Sequence, residues 1–336
     1  MHSELGRAGA PRAYDGGGTP PRTGRGFGLG KTILIGDMFV YLGVPAIVSA
    51  IPQRTIATVR VGAGGGLRVR DERLEVPGYK AEKAEQQVGS IAEILRALEI
   101  DEDRAQTLEI TFGGDLIAGS GVGASAASCV ALVRALNDAF GLGMSDAEVN
   151  HAAWRGEISY HKRPSGIDNT ASCFGGIMVF RQDPESQENC VERLVLERPV
   201  KAVLVNSGVT VDTSTKRPFL ERLERQDPAA FASSREATRQ QAAAMRDALC
   251  AGRLETVGDL MNENHRLLDA MGLSHPVIVE LAGIAASEGA LGAKVTGGGR
   301  GGYMLALTPG AELQERVASR FEGEGFTTLR TAIGAA

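Results

Sequence analysis

Cysteine is scarce in this chain and poorly placed for chemistry. Its four copies among 336 residues, Cys129, Cys173, Cys190 and Cys250, form no C-x-x-C pair. That argues against a zinc site and fits a reducing, cytoplasmic compartment. The five histidines are scattered too, with no H-x-x-x-H. No apolar run reaches the length of about 18 residues that a membrane-spanning helix needs. Charge of neither sign dominates: 36 basic against 41 acidic residues leave a net charge of −5. No overall field therefore attracts nucleic acid or an anionic membrane, and a polyphosphate would have to be held by local groups. Internal repeats are absent as well.

What the chain does have is glycine in clusters. The central one lies in Asp115–Gly141, where Gly119, Ser120, Gly121, Val122, Gly123, Ala124, Ser125, Ala126 and Ala127 run into a helical pattern. Val130, Val133 and Leu136 recur at helical spacing, and Gly141 stands where a left-handed C-cap belongs. A glycine loop entering a helix lets the backbone approach a ligand and aims unpaired N–H groups and the positive end of the dipole at one point. That point suits an anion, most often phosphate; a tight turn with close helix packing is the plain alternative. The loop has no Walker lysine and no G-x-G-x-x-G.

Residues 1–26 are rich in Gly, Pro and Arg without apolar periodicity and read as a disordered tail, with an organellar extension compatible with the composition. From Lys31 the pattern predicts short antiparallel strands, including Phe39–Gly43, Pro45–Ile51 and Thr55–Val61. A helix follows over 80–98 with Val88, Ile91, Ile94, Leu95 and Leu98 on one face. After a strand at Leu108–Phe112 come the glycine loop and its helix. Ser145 with Glu148 forms a capping box for a helix reaching His161, which Pro164 ends. Residues 182–192 are a polar linker or hairpin. Beyond the strand Lys201–Asn206, helices fill most of 218–288. A second glycine loop, Lys294–Gly302, precedes a strand, a helix and a closing strand. Without strict βα alternation the fold class is α+β.

Three motifs now stand in order: a lysine strand with Gly36, the loop GSGVGASAA, and KVTGGGRGG. Together they resemble the GHMP kinase superfamily over Lys31 to about Ala336. Gly156-Glu157 followed by His161-Lys-Arg-Pro-Ser-Gly-Ile-Asp-Asn169 makes the chain most similar to the mevalonate kinases. Three positions depart from that pattern: Asp37-Met38 for Glu-His near the acceptor pocket, Lys162-Arg163 before Pro164, and Arg300 within a run of small residues.

The resemblance implies a two-domain fold, with an N-terminal ribosomal-protein-S5-domain-2-like unit (27–195), a C-terminal ferredoxin-like unit (196–336) and the active site between them. It implies ATP- and Mg²⁺-dependent phosphorylation of a small hydroxy acid, mevalonate, at its primary hydroxyl. Asp168 would be the base and Lys31 its partner, touching the γ-phosphate. Gly119, Ser120, Gly121, Val122, Gly123, Ala124, Ser125 and Ala126, with Lys31, would bind ATP. Ser125 and Glu157 would hold the metal. Ser165, Gly166, Asp168, Thr296, Gly297 and Gly298 would line the acceptor site, and Thr213–Lys216 resembles a substrate-side loop. Read without the resemblance, Ser125 and Asp168 are helix caps, Glu157 a solvated carboxylate and Lys31 a strand-start lysine. Arg300 would reach either phosphate or solvent. Other acceptors, or a silent nucleotide sensor, stay open, as does the choice between monomer and homodimer. The last residues carry no S-K-L address.

Overall fold

The computed structural model describes residues 22–62, 64–209 and 216–335. The first unit holds strands β1 (Thr23–Ile35), β2 (Ala46–Val61), β3 (Arg68–Asp71), β4 (Leu108–Gly114), β5 (Ile177–Gln182) and β6 (Asn189–Leu194). Among them lie helices α1 (Tyr79–Glu82), α2 (Ala84–Ala97), α3 (Glu102–Ala105), α4 (Ala124–Phe140), α5 (Asp146–His161) and α6 (Ile167–Phe174). The second unit runs β7 (Val200–Asn206), α7 (Lys216–Gln226), α8 (Pro228–Cys250), α9 (Leu254–Ala270), α10 (Pro276–Ser287), β8 (Gly292–Val295), β9 (Tyr303–Leu307), α11 (Ala311–Gly323) and β10 (Thr328–Ile333).

β1 corrects the reading of residues 1–26 as tail. Residues 1–21 lie outside the described residues, but Thr23–Gly26 are already paired, antiparallel, with Val59, Arg60 and their neighbours on β2. The strand's alternate glycines explain why its composition misleads. A Cβ on Gly24, Gly26 or Gly28 would lie 2.1, 2.5 and 2.2 Å from the backbone oxygens of Ala135, Ala131 and Ala127. One bare face of the strand thus rests directly on the alanine row of α4, spaced every four residues.

The first sheet has the order β3-β4-β2-β5-β6, with β1 along β2. β3 pairs parallel with β4, so the sheet is not the simple antiparallel meander expected. Pro45–Ile51 and Thr55–Val61 are one strand, interrupted by a register shift near Pro52, the irregularity where a strand proline is tolerated. Phe39–Gly43 is a 3₁₀ turn at Val40–Leu42 rather than a strand. Residues 182–192 form the hairpin of β5 and β6. On α2, Ile91, Ile94 and Leu95 are buried as expected, whereas Val88 is exposed. Gly141 does cap α4 with φ of 63°, and the Ser145–Glu148 capping box is present.

The second sheet, β10-β7-β9-β8, is antiparallel throughout. With helices between β7 and β8 and between β9 and β10, it is the split, ferredoxin-like arrangement. The last strand of the first sheet ends at Leu194 and the first of the second begins at Val200. One apolar cluster joins both units: Leu34, Ile35, Ile47 and Ile51 pack with Leu204, Met245, Leu249 and Leu305. A second cluster, beneath α2, α4 and α5, holds the helix that follows the glycine loop.

Candidate active site

The glycine loop leaves β4 and ends at Gly123, the N-cap of α4, in a left-handed conformation (φ 82°) with no side-chain cap. The first-turn amides of α4 are therefore available to a ligand. Lys31 is locked to this turn from the neighbouring strand. Its N–H donates to Val122 O at 2.8 Å, and a Cβ at position 123 would lie 2.7 Å from its Cγ. Glycine is thus required at 123 by both its φ and the lysine stem beside it. Ser120 is buried, and its hydroxyl has no protein partner among the described residues. A buried orphan hydroxyl is costly unless a ligand satisfies it.

Lys31 Nζ reaches Asp168 Oδ1 at 3.1 Å, with the lysine side chain 5% exposed and the aspartate 28%. The cation is enclosed, while the carboxylate opens toward free space. Asp168 sits in the first turn of α6, behind Gly166. The preceding turn is braced on both sides. Trp154 Nε1 donates to Pro164 O at 3.0 Å, Gln182 Nε2 donates to Ser165 O at 3.1 Å, and Ile167 N–H donates to Ser165 Oγ at 3.4 Å.

Glu157 comes from the last turns of α5 and is 1% exposed. Its neighbour Gly156 lets α5 approach closely: a Cβ there would lie 2.7 Å from Ile94 Cδ1 and 3.0 Å from Cys129 Sγ. Ser125, in the first turn of α4, lies near enough to the Glu157 carboxylate to lower its pKa. Cys129 Sγ lies 3.8 Å from Oε1 and His161 Nε2 3.7 Å from Oε2. Burial pushes the Glu157 carboxyl up and Asp168 adds to that; His161, Ser125 and Cys129 oppose it. Among the described residues His161 is its one basic partner within ion-pair distance. A carboxylate this buried and this poorly compensated calls for a cation. No cluster of three or more His, Cys, Asp or Glu capable of chelation exists among the described residues. One hydroxyl and one carboxylate suit a hard cation that keeps waters and shares phosphate oxygens.

The second glycine loop closes the site from the other unit. Thr296 Oγ1 accepts from Ile33 N–H at 2.9 Å and from the Thr32 hydroxyl at 3.2 Å. A Cβ on Gly297 would lie 3.4 Å from Gly121 O, so the two glycine loops face each other. Lys31, Ser125, Glu157, Asp168, Thr296 and Gly297 therefore converge; Gly298 follows on the same half-buried turn.

Sequence reasoning missed how Asp37 is used. It is 1% exposed and paired with Lys294 Nζ at 3.4 Å, while Gly297 N–H donates to its Oδ2 at 3.2 Å. Lys294 opens the KVTGGGRGG motif, so the signal was present in the sequence, but its partner is 257 residues away. Thr213, Ser214 and Thr215 lie outside the described residues. Lys216 opens α7, and its ammonium donates to Asp37 O. Burial above all lowers the pKa of Lys216; Lys31 and Lys294 add to this, against Asp37 and Asp168. Met38 is wholly buried, its Cε against Gly299. Lys162 and Arg163 are exposed. Arg300 is exposed and lies over the Phe219 ring at 4.9 Å, its own N–H donating to Leu273 O.

The model of the GHMP kinases N terminal domain matches residues 88–176, and that of GHMP kinases C terminal matches residues 245–326. A mevalonate kinase of Thermococcus gammatolerans is 30% identical, over 90% of this chain and 94% of its own length. One of Aeropyrum pernix is 31% identical, over 94% and 98%. Among solved structures, L. major mevalonate kinase in complex with R-mevalonate superposes with a TM-score of 0.88 at 32% identity, covering 94% of this chain and 97% of that one. No helix among the described residues is long and apolar enough to cross a membrane.

Proposed function

The chain belongs to the mevalonate kinases of the GHMP kinase superfamily, and on that basis we propose that it transfers the γ-phosphoryl group of ATP to the primary hydroxyl of mevalonate. The product is 5-phosphomevalonate, on the route to isoprenoids. The observation that carries the reading is the Lys31–Asp168 pair at 3.1 Å, set beside the uncapped start of α4. A cation and a carboxylate at that spot are what in-line transfer to an alcohol requires.

The loop Gly119–Ala126 and the first-turn amides of α4 hold the triphosphate. The acceptor lies over Ser165, Gly166 and the second loop, Thr296–Gly298. Its hydroxyl gives its proton to Asp168 as the oxygen attacks the γ-phosphorus. The new O–P bond forms as the bond to the β-phosphate oxygen breaks, and ADP leaves. Lys31 keeps Asp168 ionised and offsets charge on the transferring group. Ser125 Oγ and the Glu157 carboxylate are the groups that would hold Mg²⁺, which would supply charge neutralisation to the phosphates. The functional division falls at 195/196, with loop, metal and base residues before it. Four free cysteines support a reducing, cytoplasmic setting; monomer and homodimer are both compatible with the site.

A second reading, in which another small hydroxy acid or a sugar is the acceptor, draws on Met38, which with Asp37 stands where the family pattern has Glu-His, and on Lys162-Arg163 before Pro164. A panel of alcohols assayed for ADP release decides between them. Mevalonate should be turned over best; no turnover of mevalonate beside good turnover of another alcohol would refute the first reading. ATP binding with no ADP release from any alcohol would leave a silent sensor.

A further inference from the structure

The stretch after β3 carries none of the motifs, yet it holds a buried arginine. Arg73 is 6% exposed. Its Nε donates to Asp71 Oδ1 at 2.9 Å, and one terminal nitrogen pairs with Asp71 Oδ2. The other terminal nitrogen turns to α4, donating to Ser128 Oγ, to Ala124 O at 3.3 Å and more weakly to Thr55 Oγ1 at 3.5 Å. Ala124 and Ser128 bracket Ser125. The following segment is laced to the glycine loop: Ala118 N–H donates to Leu74 O at 2.8 Å, and Val76 N–H to Ala118 O at 2.9 Å. The Tyr79 ring covers Gly119, where a Cβ would lie 2.5 Å from the ring. Behind Asp71, Gln87 Nε2 donates to Oδ2 at 3.0 Å and Lys80 Nζ to its carbonyl at 2.9 Å.

A guanidinium held at one edge by a carboxylate has its plane fixed, so its other edge can hold a helix turn in one rotation. We propose that Arg73 is a positioning residue for nucleotide binding: it sets the first turn of α4, and with it the Ser125 hydroxyl and the free amides, where the triphosphate needs them. This rests on reading that turn as the phosphate site. A brace that served stability alone would leave the folded protein's affinities unchanged. A positioning brace changes nucleotide affinity selectively and leaves the acceptor site, built on α6 and the second glycine loop, as it was.

The test uses the full chain. Arg73→Lys keeps the charge and loses the fork; Ser128→Ala removes one acceptor and keeps the Asp71–Arg73 pair. For each, KM for MgATP, KM for the acceptor and kcat are measured, with Kd for a non-hydrolysable ATP analogue by calorimetry, well below the variant's melting temperature. Arg73→Lys should raise KM and Kd for nucleotide about tenfold and Ser128→Ala about threefold, the scale of charge-assisted hydrogen bonds lost. The acceptor KM should stay within about twofold. In a Ser125→Ala background the factor for Arg73→Lys should shrink, because both changes act on one turn. Nucleotide Kd near the wild-type value in both variants overturns the proposal even if both melt earlier. If Arg73→Lys does not fold, Ser128→Ala decides alone. Wild-type protein with no affinity for the analogue would overturn the phosphate-site reading itself, and this proposal with it.

Discussion

Asp168→Asn separates catalysis from structure on two scales that differ several-fold. The amide is nearly isosteric, so the change removes one charge and one proton acceptor while Oδ1 can still accept from Lys31 Nζ. The structural cost has two parts. Lys31, only 5% exposed, loses its counter-charge; because the aspartate is 28% exposed, the penalty for an uncompensated buried charge is reduced to about 1–2 kcal/mol. Losing a carboxylate in the first turn of α6 costs about 0.3–1 kcal/mol more through the helix dipole. For a chain of this size the melting temperature should fall by a few degrees, roughly 2–6 °C. The chemical cost is larger. Without its base, transfer should slow by about two to four orders of magnitude, or about 3–5 kcal/mol on the barrier. The measurements are coupled ADP release under saturating MgATP and mevalonate, a thermal melt, and binding of an ATP analogue, which should persist. A kcat within about tenfold of wild type would refute the base assignment and leave Asp168 as a helix residue that happens to pair with a lysine.

Three further outcomes are expected. Glu157→Gln should raise the Mg²⁺ concentration needed for half-maximal rate by about tenfold or more. Because burial raises this carboxyl, its ionised form costs the folded state at neutral pH, so the metal-free variant should melt no earlier than wild type; a clear fall would show that the carboxylate stabilises the fold. Gly28→Ala places a Cβ 2.2 Å from Ala127 O and should destabilise by about 3 kcal/mol or more, whereas Gly113→Ala, which meets nothing within 4 Å, should melt within a few degrees of wild type. His265, whose pKa burial and then Lys294 depress to about 4 from 6.5, stays neutral in the folded chain while the unfolded chain takes up a proton. Its contribution is therefore present above pH 6.5 and lost as pH falls toward 4, up to about 3 kcal/mol. His265→Gln should flatten the urea-stability profile over that window; an unchanged slope would count against a buried neutral imidazole.

The residues proposed for the site could be named from the sequence because most of them belong to a short run with its own geometry. A glycine loop entering a helix, G-E at a helix end and P-S-G-x-D-N each fix a local shape, and the order of the three glycine motifs supplied the rest. The residues that were missed act over distance. Arg73 has no motif, and its role depends on Asp71 and Ser128 meeting across β3 and α4. Asp37 and Lys294 are in separate units. The start of the fold was misread for a related reason. In Thr23–Gly30 alternating glycine signals nothing apolar by itself, and only the alanines of α4 turn it into a packed strand. Val88 fits a helical stripe by spacing alone, but it is exposed.

Because a single apolar cluster runs from Leu34 and Ile51 into Met245 and Leu305, the two sheets are welded along a seam instead of meeting at a hinge. Rotation of one half against the other would tear that seam open. Heating should therefore melt both halves together in one cooperative step.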